Sequence, residues 1–284
     1  MNISVIIPVH NEEETIGKTL SSLLSQTLPP DQIIVVDDNS TDNTESIVNQ
    51  IVAETSKVRY IYHASTPEHQ PGGKIVKAFL KGLELANPNY DIICKFDADL
   101  IFPPNYLEIM ADQFSASPKL GMFGGICTVE KNGHWIKESV TGANHVRGAL
   151  KAYRRGCYED IGGIKPVFGW DTIDELLAEF HGWSYRIDES LKVKHLKPTA
   201  SRYLKSRGEP QGRVLYGMRM GPVLTTIRAI IQSFRKRKIS YFGQILKGYK
   251  LAKHEKMPLL VSKEAGMFIR RRQWGIIRKK AFRF

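Results

Sequence analysis

The chain has 284 residues, 42% hydrophobic and 25% charged, which allows a substantial core, and no apolar run reaches the roughly 18 residues of a membrane-spanning helix. Three cysteines, Cys94, Cys127 and Cys157, odd in number and without C-x-x-C spacing, argue against a disulfide framework or zinc cluster and read as reduced core thiols of a cytoplasmic protein. The formal net charge of +12 is unevenly placed: residues 202–284 hold 22 Lys/Arg against 3 Asp/Glu and the rest holds 19 against 26, so a mildly acidic body carries a basic tail suited to an anionic partner.

The N-terminal MNISVIIPVHNEE is apolar too briefly and starts with too little positive charge for a signal peptide, so ISVIIPV (3–9) is read as a first strand. Residues 13–26 follow with helical apolar spacing at Ile16, Leu20, Leu23 and Leu24. QIIVVDD (32–38) reads as a buried strand, and NSTDNTESIVNQIVAE as a capped helix. VRYIYH (58–63) is a third strand, GKIVKAFLKGLELA (73–86) a helix, and DIICKFDA (91–98) a fourth strand. Such βα repeats predict a Rossmann-like α/β fold: a mostly parallel sheet with helices on both faces, whose ligands sit at the C-terminal strand ends.

Those ends are polar: His10, Asn11 and Glu12; Asp37 and Asp38; His63; Asp97 and Asp99. Acids at the ends of successive strands point to a shared site more than to ordinary turn chemistry. From about residue 120 the pattern loosens, with strand-like runs at 121–129 and 147–153, a short helix ending at Gly162-Gly163, a helix over 170–183 that opens on acids, and an extended run at 185–195. After Pro198 the chain turns basic, with helical pieces near 212–236, 240–254 and 263–280. The predicted organisation is a catalytic domain over residues 1–200 and a basic, mainly helical extension over 201–284.

Asp97 and Asp99 would share one side of a strand that stays extended through both, and a hard cation such as Mg²⁺ or Mn²⁺, shared with a diphosphate, would relieve their repulsion. A D-x-D tripeptide is weak alone and gains weight from following a buried strand. Other phosphate schemes fit worse: Gly73-Lys74 is followed by Ile75 rather than Ser/Thr, and no G-x-G-x-x-G follows the first strand.

Taken in order, SVIIPVHNEE, VVDDNSTD, GGKIVKAFLKGL and FDADL, then YRRGCYEDIGG and GWDTIDELLAEFHGW, resemble the inverting family 2 glycosyltransferases of the GT-A fold over roughly residues 1–200. The resemblance implies that Asp97 and Asp99 hold a divalent ion on a nucleotide-diphosphate sugar, Asp99 most directly, with Ala98 between them at the donor. It implies that Asp38 reads the nucleobase while Asp37 is structural, that Pro8, His10 and Glu12 line base and ribose, and that Lys74 lies near the nucleotide. It places the catalytic base at Asp171, with Asp174 and Glu175 as competitors; the family usually carries Glu-Asp here, and this chain has Trp170-Asp171. Trp170 suits a sugar-stacking or a core role. His195 becomes a candidate metal ligand. Arg154 and Arg155 suit either the diphosphate or solvent.

The implied reaction transfers a sugar to a saccharide or lipid-linked saccharide acceptor in cell-surface polysaccharide or glycolipid synthesis. The tail mixes bulky apolar residues with arginine (214–236, then RKRK at 235–238, then MFIRRRQWGIIRKKAFRF), a composition suited to peripheral contact with an anionic membrane at its inner face. The alternative is a catalytically inactive GT-A-like protein binding membrane or nucleic acid through the tail; nucleic acid is the less expected partner. A nucleotidyltransferase would want a glycine-rich, basic N-terminal loop that is absent.

Overall fold

The computed structural model describes residues 1–65, 72–138, 145–197 and 208–281. β1 (Ile3–Val9), β2 (Gln32–Asp37), β3 (Val58–Tyr62) and β4 (Ile92–Phe96) alternate with α1 (Ile16–Leu24), α2 (Thr44–Glu54) and α3 (Gly73–Glu84). Then come β5 (Leu100–Ile101), α4 (Tyr106–Ala116), β6 (Leu120–Lys131), β7 (His134–Lys137), β8 (Leu150–Arg154), α5 (Arg155–Asp160), α6 (Trp170–Phe180) and β9 (Ser184–His195). The basic tail supplies α7 (Gly208–Gly217), α8 (Gly221–Lys236), α9 (Ser240–His254) and α10 (Lys263–Ala281). No described helix is long and apolar enough to cross a membrane.

The strands form one sheet in the order β3-β2-β1-β4-β8-β6-β9-β5, with β7 folded back on β6. The first four are parallel, as the βα repeats require; β8 then runs antiparallel to both β4 and β6, β9 parallel to β6, and β5 antiparallel to β9. Side chains alternate between two cores. Ile3, Val5, Ile7, Ile33, Val35, Ile92, Cys94 and Phe96 face α1, α2 and α4. Ile6, Ile34, Val36 and Ile93 face α3, α5 and α6, and the tail helices enter this second core through Val214, Leu215, Ala229, Ile245 and Ile269. All three cysteines are buried and unpaired, as expected of core thiols.

Glycine sets how the tail packs. A Cβ on Gly212 of α7 would lie 2.0 Å from the Ile245 carbonyl oxygen, and one on Gly248 of α9 would lie 2.0 Å from the Glu209 carbonyl oxygen, so the two helix backbones touch where those residues cross. Pro222 occupies the first turn of α8, where its missing N–H costs nothing, so the proline within the 212–236 stretch starts a new helix, just after Arg219 and Gly221 adopt positive φ.

The strand order reverses between β1 and β4, and the two part company early. Their pairing stops at Ile6↔Lys95, whereas β1 stays with β2 through Val9↔Asp37. The Asn2 carbonyl accepts from β4 and the Val9 carbonyl from the β2 side, so by alternation the Pro8 nitrogen faces the β4 side, just past the point where β4 has left. A proline is tolerated there because no ladder bond is lost. The result is a crevice at the carboxyl ends of β1 and β4, the switch point where α/β sheets bind ligands.

Candidate active site

The loops after β1 and β2 brace one wall of this crevice. Asn11 and Asn39 both take left-handed φ, near 57° and 60°. Asn11 N–H donates to Ser40 Oγ at 2.9 Å, Thr41 N–H to Asn11 Oδ1 at 2.8 Å and Glu12 N–H to Thr44 Oγ1 at 2.8 Å. The two neighbouring acids of β2 differ. Asp37 accepts from Ser40 N–H at 2.8 Å and from Tyr60 O–H at 3.0 Å, so it is committed to the fold. Asp38 is buried, and its Oδ1 has no hydrogen-bond partner among the described residues. A buried carboxylate oxygen left open is costly without a ligand and can accept an N–H from a base.

Asp97 and Asp99 sit across the crevice, but not on an extended strand. β4 ends at Phe96 and the D-x-D tripeptide forms a turn into β5, so the expected shared strand face is replaced by two separate partners. Asp97 pairs with the buried Lys95 ammonium, which also donates to the Gly148 carbonyl at 3.1 Å. Ala98 is buried in the turn, its carbonyl accepting from Thr19 Oγ1 at 2.7 Å. Asp99 Oδ2 lies 3.2 Å from His195 Nε2, at the end of β9, and His195 Nδ1 lies 2.8 Å from Glu138 Oε2, which also bonds Arg147. Burial opposes the His195 charge, but Asp99 and Glu138 outweigh it and raise its pKa.

This donor set fits a hard divalent ion. Both ring nitrogens of His195 face carboxylates, which favours the charged ring; a cation held by Asp99 would take the place of an Nε2 proton while Glu138 orients the ring through Nδ1. Two carboxylates and one imidazole suit Mg²⁺ or Mn²⁺. Cys127, Glu138 and His195 also bring ligand atoms within 4.8 Å of one another. There the Arg147 guanidinium already neutralises Glu138, and burial pushes the Cys127 thiol up to about 12, so that cluster orients His195 and offers a cation little.

The third wall is the start of α6. Trp170 is buried between Lys95 and Lys151, whose Nζ atoms lie 5.7 and 5.8 Å from its ring centroid; this is a core role and not a free stacking platform. The two lysines are cross-strand neighbours on β4 and β8. Lys151 donates to Asp174 at 2.9 Å and to the Asp171 carbonyl at 2.7 Å, and lies 3.3 Å from Glu175; Tyr153 donates to Asp174 at 2.5 Å. Burial raises the Asp174 carboxyl to about 6. Asp171 is the more open acid, its side chain 27% exposed against 2% for Asp174 and 8% for Glu175. His145 lies between two of them, Nε2 3.0 Å from Asp171 Oδ2 and Nδ1 3.0 Å from Glu175 Oε2. Burial opposes the imidazolium, but both carboxylates outweigh it and raise His145 to about 9; His145 in turn overcomes burial at Asp171 and lowers its pKa.

Comparison with known proteins decides the family: the description Glycosyl transferase family 2 matches residues 4–158, more than half of the chain. The chain belongs to glycosyl transferase family 2. Similar proteins include a poly-beta-1,6-N-acetyl-D-glucosamine synthase of Staphylococcus epidermidis, 28% identical over 65% of this chain and 47% of the relative, and an uncharacterized glycosyltransferase of Nostoc, 28% identical over 59% and 55%. The chain thus spans about half the length of these relatives. Among solved structures, Staphylococcus aureus TarS residues 1–349 with UDP-GlcNAc superposes with TM-score 0.58 at 19% identity, over 91% of this chain and 74% of that one. A Pyrobaculum calidifontis mannosyltransferase with GDP-Man and Mn²⁺ gives 0.54 at 20% identity, over 76% and 62%. These likenesses establish the GT-A fold.

Within this family 2 chain, contact joins several residues singled out from sequence, through Asp97, Lys95, Trp170 and Asp171 on one side and Asp99 and His195 on the other. Others are placed differently. Pro8 is buried in β1. His10 is exposed, and its Nδ1–H donates to the Asp38 carbonyl at 2.6 Å, so it braces the loop. Glu12 is buried, its carboxylate taken by Lys197 at 2.8 Å and Thr15 at 2.8 Å. Lys74 lies half-buried in the first turn of α3, beside Gly72, whose left-handed φ starts the helix against Val167. Arg154 is bound to the Leu120, Phe114 and Ser117 carbonyls, and Arg155 to Glu159. Because β8 is antiparallel, Arg154 pairs with Ile92 at the amino-terminal end of β4, the end of the strand away from Asp97 and Asp99. Specificity is expected to rest on the loops 63–73 and 128–146, of which residues 66–71 and 139–144 lie outside the described residues.

Sequence reasoning missed His145, Glu138, Arg147, Lys95 and Lys151. Only the lysines carried a signal, as single charges inside otherwise apolar strand runs. His145, Glu138 and Arg147 fall in an irregular stretch with no period to interpret.

Proposed function

We propose that the chain is a metal-dependent, inverting glycosyltransferase that moves a sugar from a nucleotide-diphosphate donor to a hydroxyl of a saccharide or lipid-linked saccharide acceptor, in cell-envelope polysaccharide or glycolipid synthesis. One observation carries the reading: Lys95 touches both Asp97 and Trp170, the residue before Asp171, so the turn suited to a diphosphate-bound cation and the most open carboxylate of α6 flank one crevice. Asp38 offers the base an open acceptor in the same crevice. Asp174 and Glu175 are buried and held by Lys151, Tyr153, His145 and the Val146 N–H, whereas Asp171, bound by His145 at one oxygen, is the most exposed of the three and is the acid assigned to take a proton. Asp171 removes the acceptor hydroxyl proton as its oxygen attacks the anomeric carbon, the bond to the diphosphate breaks on the opposite side, and the configuration inverts. A divalent cation held by Asp97, Asp99 and His195 would offset charge on the departing diphosphate. The names of the relatives, a glucosamine-polymer synthase among them, support the substrate class. The basic tail fits a peripheral position at the inner face of a membrane.

The test is thermal unfolding with UDP, GDP, dTDP and CDP, each with and without Mn²⁺. One nucleotide raises Tm in a metal-dependent way, by mass action on the native state. Asp99→Asn removes that shift and the turnover while keeping the unliganded Tm within a few degrees. Metal-dependent turnover in Asp99→Asn, or no shift with any nucleotide, overturns the reading.

A further inference from the structure

The apolar stripe of α8 faces outward. Its buried residues are Leu224, Thr225 and Ala229, two of them small. Val223, Ile230, Ile231 and Phe234 are 60, 43, 42 and 79% exposed, with Ile227 half-buried between them. At 100° per residue these five fall within about one third of the helix circumference. The ridge leads into Arg235, Lys236, Arg237 and Lys238, all exposed, and then into Ile239, 91% exposed. Arg237 takes a left-handed φ of 52° that ends the helix. No Asp or Glu occurs between Glu209 and Glu255.

We infer that this ridge, Val223 to Ile239, is the surface by which the chain docks on an anionic lipid bilayer. The inference deepens the peripheral position proposed above and does not rest on the transfer chemistry. Exposed apolar area of this kind needs a cover. The apolar side chains of the ridge stand largely exposed, which suits insertion into deformable acyl chains; the cations at its end match anionic headgroups, and the absence of acids removes opposing charge. Phe234 is its one aromatic side chain, too few for a base-stacking platform. The last helix is different: Phe268 of α10 stacks on Phe180 at 5.8 Å and Arg272 pairs with Glu179, so α10 is anchored on α6. The RRRQW segment, which by composition also suits a membrane, is therefore assigned mainly to packing.

The experiment is co-sedimentation of the full chain with vesicles of phosphatidylcholine alone or mixed with phosphatidylglycerol. Binding is expected only to the mixed vesicles and to weaken with salt. Phe234→Ser with Ile239→Ser lowers affinity about tenfold or more, since two exposed apolar side chains no longer insert. Arg235→Gln with Arg237→Gln and Lys238→Gln lowers it roughly a hundredfold. Trp274→Ser on α10 changes it little. All three variants keep the Tm and the nucleotide-dependent shift of the unchanged chain, which separates this result from the donor-site reading. Absence of binding to the mixed vesicles overturns the proposal. So does a loss as large with Trp274→Ser as with the ridge variant, or a ridge that instead mediates dimerisation, seen as a concentration-dependent mass that Phe234→Ser abolishes.

Discussion

His145 is held between Asp171 and Glu175 as a cation, and the sign of its effect follows from its pKa. Raised from 6.5 to about 9 in the fold, it contributes stability that is fully present below pH 6.5 and is lost as pH rises through about 9. His145→Asn should therefore lower Tm at pH 7 by the equivalent of about 2 kcal/mol and flatten the decline in stability expected of the unchanged chain as pH rises from 6.5 through about 9. Because His145 lowers the Asp171 pKa, the same variant should move the acidic limb of kcat/KM to higher pH. His145 is a positioning residue on this view, so an unchanged pH profile would refute the role even if activity fell. At Asp38 the reverse trade holds. Asp38→Asn should leave Tm unchanged or raise it, since an open buried carboxylate oxygen is removed, while weakening nucleotide binding about tenfold. Which acid of the VVDD run faces a ligand depends on Tyr60 and Ser40, one reached across a strand pair and the other through a turn. Sequence alone could locate the pair but not show how Asp37 is satisfied.

The helix elements show what periodicity can and cannot say. The strands of the βα repeats were legible to within a residue or two, since each is a short apolar run, and the helices were located by their apolar spacing with starts up to about five residues early. Helix α4 was not: two prolines, Pro103-Pro104, end the strand pattern in the sequence, and they are the approach to a helix, with the Tyr106 N–H donating to the Pro103 carbonyl at 3.1 Å. In α8 the stripe was visible but its direction was not: spacing says that apolar residues share a face, and only the fold says which way that face looks. The α7–α9 crossing was hidden for another reason, as glycines within helices read as weaknesses rather than as contacts. Gly212→Ala or Gly248→Ala should push the two backbones apart, costing about 3 kcal/mol and roughly 6–12 °C in Tm. Gly243→Ala, which meets nothing within 4 Å, should be neutral or slightly stabilising.

For the whole molecule, the tail helices and the α6 face of the sheet share one core, so the basic extension and the crevice are built on common packing. The charge asymmetry was readable from composition, and the candidate site only in part: strand ends gave Asp38, Asp97 and Asp99, whereas the long-range partners that distinguish these acids come from β7, β8, α6 and β9. Lys95 is a local partner instead, two residues before Asp97 on β4, and its position bears on the order in which ligands arrive. With its ammonium on Asp97, the D-x-D turn presents nearer one negative charge than two. A free divalent ion gains correspondingly less from the turn alone, and a diphosphate alone brings further negative charge to a turn that already holds two acids. Each ligand thus supplies the charge the other lacks, a heterotropic coupling that linkage requires to be equal in both directions. On the proposed reading, the Tm gain with nucleotide and Mn²⁺ together should exceed the sum of the separate gains, and Lys95→Met should shrink that excess by strengthening the binding of Mn²⁺ alone.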